Sequence, residues 1–158
     1  DITRNMISES MWYLRGWNTN SVFVDQMYEY ERTKGSVYSG RPTSWTGKIA
    51  LVYPSDYGYA ADFGQCTKQL GSYNDSTCVS NNWMKTIITN SGSGGGWLLT
   101  HFSGNSSIAW NVDSSGLVYG NISGTYGAYV VVPVLHLGSE LEIKAGDGSS
   151  SAPYQLSA

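Results

Sequence analysis

The chain is 158 residues long, the size of one ordinary domain, and 41% of it is apolar, enough for a core that needs no metal. Only 13% is charged, well below the usual share, and a net charge of −3 without any basic run excludes the electrostatic footprint of a nucleic-acid binder. Twelve tyrosines, six tryptophans and 19 glycines describe the uncharged, aromatic-rich surface typical of extracellular β-rich domains.

No stretch approaches the roughly 20 apolar residues that span a bilayer, and no signal peptide is visible. The chain opens abruptly at Asp1. It reads as a processed or truncated ectodomain, extracellular or at the cell surface, anchored by a segment absent from this sequence.

Met6, Ile7, Met11 and Leu14 recur near helical spacing and predict a short helix before Gly16. Ser21 is placed to cap a second helix over Val22 to Arg32, with Phe23, Met27, Tyr28 and Tyr30 on one face and Gly35 as its stop. Ser39-Gly40-Arg41-Pro42 is a turn. Lys48 to Tyr53 reads as a strand ended by Pro54, and Ser55 as the cap of a helical turn over Asp56 to Asp62.

Cys66 and Cys78 bracket the polar loop TKQLGSYNDST. An even pair at short spacing in a chain of this composition predicts a disulfide and an oxidising compartment, with two free thiols as the alternative. Two cysteines without clustered partners cannot build a zinc site. Asn81 or Asn82 then caps a helix from Trp83 to Thr89, with Trp83 and Ile87 sharing a face. Residues 90–96 form a glycine-rich, flexible loop.

The segment from Trp97 to Leu137 organises the rest. It predicts strands at Trp97–Leu99, Ile108–Val112 and Leu117–Tyr119, the last after a turn at Asp113–Gly116. Ala128 to Leu137, rich in valine, predicts a buried strand that must bend, bulge or lie at an edge at Pro133. Glu140 to Lys144 reads as an exposed edge strand, followed by a turn-rich tail. The whole is expected to be a single α+β domain over residues 1–158, with residues 138–158 as its edge strand and tail.

Several motifs in this order resemble a known pattern: Tyr38-Ser39-Gly40-Arg41-Pro42-Thr43-Ser44-Trp45-Thr46-Gly47-Lys48-Ile49, Tyr53-Pro54-Ser55-Asp56-Tyr57-Gly58-Tyr59-Ala60, Trp97-Leu98-Leu99, Gly116-Leu117-Val118-Tyr119, Pro133-Val134-Leu135-His136-Leu137 and Gly146-Asp147-Gly148 through Pro153-Tyr154-Gln155-Leu156. They resemble an uncharacterised family of surface domains from Firmicutes and other gut bacteria. Its members often follow a prepilin-type N-terminal helix. The resemblance implies a C-type-lectin-like fold, shared with relatives of the formylglycine-generating enzymes and with the variable proteins of diversity-generating retroelements. One departure stands out. Where the family has Gly-Val-Arg before Pro-Val-Leu, this chain has Val130-Val131-Val132, so any role of that arginine is missing here.

The titratable inventory argues against an enzyme. His101 and His136 are the only histidines. His136 reads as a hydrogen-bonded packing residue in an apolar strand. His101 with Ser103 and Asp113 lacks any strained nucleophile turn or oxyanion hole, and the cysteines do not resemble the reactive pair of formylglycine-generating enzymes. Lectins of the implied fold bind calcium through Glu-Pro-Asn or Gln-Pro-Asp and Trp-Asn-Asp. Here Trp110-Asn111-Val112-Asp113 breaks the last motif, so no calcium site and no cofactor is expected, although Asp56 with Asp62, or Asp147, is placed to hold a structural ion if solvated turns do not claim them.

The leading expectation is a surface binding module, adhesin-like, whose loop face takes a protein or glycan ligand on another cell or phage. Its contact residues would be His101, Phe102, Ser103, Asn105, Trp110, Asn111, Tyr119, Asn121, Tyr126 and Tyr129, rigid aromatics beside adaptable amides and hydroxyls. The resemblance to retroelement variable proteins implies that this face is diversified, since adenine-directed mutation generates such residue types from asparagine codons. For Phe102 and Trp110, core packing competes with ligand contact. The alternative is a pilin-like subunit that assembles with other pilin subunits into a filament. The sequons at Asn74, Asn105 and Asn121 suit surface loops.

Overall fold

The computed structural model describes residues 6–89, 94–122 and 129–157, with four α-helices and ten short strands in a mixed α+β arrangement. The main sheet has strands β4 (Gly95–His101), β5 (Ile108–Asp113), β6 (Val118–Ile122) and β7 (Val130–Val131) in the spatial order β6-β5-β4-β7. β4, β5 and β6 form an antiparallel meander, while β7 returns parallel to β4. The turn between β5 and β6 is as the sequence predicts. The Asp113 carboxylate accepts the N–H groups of Ser115 (2.8 Å) and Leu117 (3.1 Å), and Gly116 takes φ +94°.

One face of the meander carries Leu98, Trp110, Val112 and Val118 into the main core, where they meet Val22, Met27, Tyr57, Leu70, Tyr73 and Ile88. All four helices contribute to this core. α1 (Val24–Glu29) continues as a π-helical turn over Tyr30–Lys34, closed by the Gly35 N–H on the Tyr30 carbonyl (3.0 Å). Its N-cap is Phe23, not Ser21, and Gln26 Oε1 accepts the Phe23 N–H at 3.1 Å. Met27 is buried as expected and Tyr30 stacks on Trp17 with centroids 3.9 Å apart, but Phe23 and Tyr28 point outward. α2 (Pro54–Tyr59) starts one residue before Ser55, because proline at the first helical position needs no hydrogen-bond partner for a missing N–H.

The disulfide between Cys66 and Cys78 is formed, with Cα atoms 4.6 Å apart and both residues buried. It ties the loop after α2 to α3 (Ser76–Ser80), a helix that sequence periodicity does not announce and that Asp75 caps through Thr77 N–H at 3.0 Å. α4 (Trp83–Thr89) is capped by Asn82, whose Oδ1 accepts from Met84 N (3.0 Å) and Lys85 N (3.2 Å). Its inward face is Met84 and Ile88, and the face that Trp83 and Ile87 share is exposed. The glycine-rich loop expected at 90–96 falls partly outside the described residues. Gly95 and Gly96 open β4.

The predicted N-terminal helix is replaced by a strand. β1 (Ser10–Tyr13) pairs antiparallel with β2 (Ser44–Gly47), and its alternation of exposed Met11 with buried Trp12 has the period of a strand. Trp12 Nε1 donates to the Gly47 carbonyl at 2.9 Å. Gly16 does not end a helix. It bridges to Ser36, where a Cβ would collide with the His101 carbonyl. Trp12, Ala50 and Tyr53 form a second, smaller core that Leu99 joins from β4.

The valine-rich run does not make one buried strand. It leaves the main sheet at Val132 and forms β8 (Pro133–Leu135), which pairs antiparallel with β3 (Ile49–Leu51). Proline thus opens a strand, one of the places where its missing N–H is tolerated. Val131, Leu135 and Leu137 are exposed. The charged edge strand is present as β9 (Glu142–Ala145), paired with an unanticipated β10 (Gln155–Ser157), and β9 buries neither face. Among the described residues, no helix is long and apolar enough to cross a membrane.

Closing the loop from Cys66 to Cys78 should contribute about 3 kcal/mol by restricting the unfolded chain. Replacing both cysteines by serine is therefore expected to lower the thermal midpoint by about 10 °C, as read by calorimetry. An unchanged midpoint would remove the disulfide from the account of stability.

Candidate binding face

The face of the meander opposite Leu98 and Trp110 carries Trp97, Asn111 and Tyr119 in one register row, and Asn121 stands opposite Ala109 in the next. Tyr129, just before β7, packs edge-on against Trp97 (centroids 5.0 Å) and brings its hydroxyl 2.9 Å from that of Tyr119. Asn121 Nδ2 donates to Tyr119 Oη at 3.1 Å and lies 3.5 Å from Tyr129 Oη. Tyr129 thus touches both neighbours of Asn111 in the row, and Asn111 between them is fully buried. Burial, then the bond with Tyr129, pushes the Tyr119 phenol up to about 12. The cluster presents neutral hydroxyls, an amide and an indole, groups that stack on and hydrogen-bond to a ligand.

The ten predicted contact residues divide accordingly. Tyr119, Asn121 and Tyr129 come together in this cluster. His101, Ser103 and Asn105 lie in or beside the β4–β5 connection. His101 pairs with Ala109, in the row that ends at Asn121. Its Nε2 accepts the Tyr38 N–H at 3.0 Å, and burial, then the nearby Arg41, lowers its pKa. The Ser103 N–H donates to the Trp17 carbonyl (3.2 Å), and Asn105 Oδ1 accepts from the Ser107 N–H (2.9 Å).

Three predicted contacts are corrected. Trp110 is fully buried, with Phe102 packed against it at 5.7 Å and against Gly120, so both serve the core. Asn111 is also fully buried. Its Nδ2 donates to the Tyr119 carbonyl at 3.0 Å, while its Oδ1, Trp110 Nε1 and Thr100 Oγ1 have no partner among the described residues. Tyr126 lies outside the described residues. Of the acids considered for an ion, Asp62 and Asp147 accept backbone N–H bonds from Gly64 and Ser149 in turns. No group of three metal-ligating side chains occurs among the described residues.

Sequence reasoning missed a second polar centre. Glu31, fully buried in the π turn, accepts Ser55 N–H with Oε1 (2.9 Å), and with Oε2 the Ser55 hydroxyl and Arg32 Nη1 (2.8 Å). The Arg32 guanidinium lies over the rings of Tyr28 (3.8 Å) and Tyr53 (4.6 Å). Glu31 and Ser55 are 24 residues apart, and no local motif signals the pairing.

Burial pushes the Glu31 carboxyl from 4.5 up to about 7, although the bonds from Ser55 and the charge of Arg32 act the other way. The folded state therefore binds an extra proton between pH 4.5 and about 7. The stabilisation from this group is complete below the lower value and is lost as pH rises through the upper one. The stability difference between the native chain and Glu31→Gln should shift against the native chain across that window. Denaturant unfolding at a series of pH values measures it, and curves that stay parallel would contradict the assignment.

Compared with protein-family models, curated proteins and solved structures, the chain matches none.

Proposed function

We propose that the chain is a ligand-binding module with a C-type-lectin-like fold, displayed outside the cell, whose contact face is built on Trp97, Tyr119, Asn121 and Tyr129 with His101, Ser103 and Asn105 at its border. The observation that carries this reading is the hydroxyl–amide–indole cluster on the face of the sheet turned away from the main core. Half-buried aromatic rings with polar tips give large contact area at small entropic cost. The disulfide supports an oxidising, extracellular setting. A four-stranded sheet beside short helices and small two-stranded ribbons is compatible with the fold that the motif resemblance implies. In this reading, the segment that joins β6 to β7 and the β4–β5 connection are where a diversified sequence would act, and the ligand is a protein or glycan on another cell or phage.

A pilin-like subunit is the second reading. It is favoured by Ile49 and Leu135, which face each other across β3 and β8 and are both exposed, with Val131 exposed nearby in sequence.

The test is binding of the fluorescently labelled domain to cultured gut epithelial cells and to gut bacterial cells, read by flow cytometry. A Tyr119→Ala/Tyr129→Ala variant that still unfolds cooperatively should lose at least about 30-fold in apparent affinity, the effect of one strong interface residue. Equal binding by the variant would refute this face. Filaments seen by electron microscopy, and lost in Ile49→Asp, would favour the second reading.

A further inference from the structure

A cleft of about 310 Å³ opens between β1, β8 and the first turn of α2, and shares no residue with the Tyr119 face. Its size is at the lower end of small-ligand sites. Its lining includes the apolar side chains of Met11, Val134 and Leu135. It also includes the polar groups of Arg32, Asp56, Tyr53 and His136.

Arg32 is held before any ligand arrives. Its Nη1 donates to Glu31 (2.8 Å) and reaches Ser55 Oγ (3.4 Å), and its guanidinium is stacked on Tyr28 and Tyr53. A fixed guanidinium loses little rotamer freedom on binding. Its Nη2 stands 4.0 Å from Asp56 Oδ1. That is an ion-pair distance but too long for a hydrogen bond. Both groups therefore keep donor and acceptor capacity toward the cleft. A hydroxyl group satisfies both at once, accepting from Nη2 and donating to Oδ1.

The charges narrow the class further. Arg32 is opposed by the Asp56 carboxylate beside it, so no net positive field draws an anion. Tyr53 Oη accepts the Tyr13 N–H at 2.6 Å, which leaves its own proton to donate. The His136 ring is stacked on Trp12 at 4.6 Å, and its Nδ1 is paired with Ser10 Oγ at 2.9 Å. A ligand that fits has a C–H face for Met11 and Leu135 and a hydroxyl edge for the Arg32–Asp56 pair.

We propose that this cleft binds a neutral polyhydroxylated small molecule, a monosaccharide either free or at the end of a glycan. Glucose, galactose, mannose, fucose and N-acetylglucosamine are the probes, each titrated to about 50 mM into the isotope-labelled chain, a range that detects millimolar affinity. Saturable shifts at the Arg32 Nε–H, the His136 ring and the Leu135 methyls are expected for at least one of them. Asp56→Ala should weaken binding about tenfold or more, the usual effect of losing a hydrogen bond to a charged group. Leu135→Trp, a change at an exposed position, should fill the cleft and abolish the shifts. Tyr119→Ala/Tyr129→Ala should leave them unchanged, which separates this site from the face proposed above. Equal binding of the methyl glycoside assigns a glycan terminus, and its loss assigns the free sugar. Absence of shifts at these three residues with every probe, or shifts that persist in Leu135→Trp, would overturn the proposal.

Discussion

Much of the molecule depends on one carboxyl group placed where water cannot reach it. Glu31 has no solvent exposure, and it collects the first backbone N–H that α2 has to offer its neighbours, a serine hydroxyl and an arginine. A buried carboxyl left unpaired would be costly, so these partners are bound to their places by the same demand. Through Ser55 the group fixes the start of α2 against the π turn. Through Arg32 it sets a cation between two tyrosine rings. Tyr53, one of those two, reaches the backbone of β1 with its hydroxyl. Two helical segments and the first strand are thereby joined by a chain of polar contacts rather than by apolar packing alone. Such a network specifies relative position more sharply than apolar contact does, because each bond has a direction.

The parts of the fold legible in the sequence are those governed by short-range rules. Asn82 caps α4 because its side chain meets N–H groups two and three residues ahead. Asp113 and Gly116 make their turn for the same local reason. The disulfide follows from the number and spacing of the cysteines. What stayed hidden was decided at long range. Met6, Ile7, Met11 and Leu14 suit a helix as well as a strand, and it is β2, some 30 residues on in the chain, that settles the matter by offering a partner.

The candidate site was legible to the same degree. That Ile108–Val112 is a strand can be read from its residues. Which of Trp110 and Asn111 faces the core cannot, since a shift of one residue exchanges the two faces. Here Trp110 points into the core with Val112 and Val118, and Asn111 lies on the other side between Trp97 and Tyr119. Residues assigned to recognition by their type alone are thus divided by parity and by burial. The Arg32–Asp56 cleft had no signature at all, because its residues are scattered along the chain from Met11 to His136.

The strand order carries one more consequence. β6 and β7 lie at opposite edges of the main sheet, three strand spacings or about 14 Å apart. Side chains as well as ladders tie the two edges together, because the Tyr119 hydroxyl on β6 meets that of Tyr129, the residue before β7, and the Tyr129 ring rests on Trp97 of β4. The polar face thus acts as a clasp drawn across the width of the sheet, and whatever loosens one of its rings loosens both edge strands together.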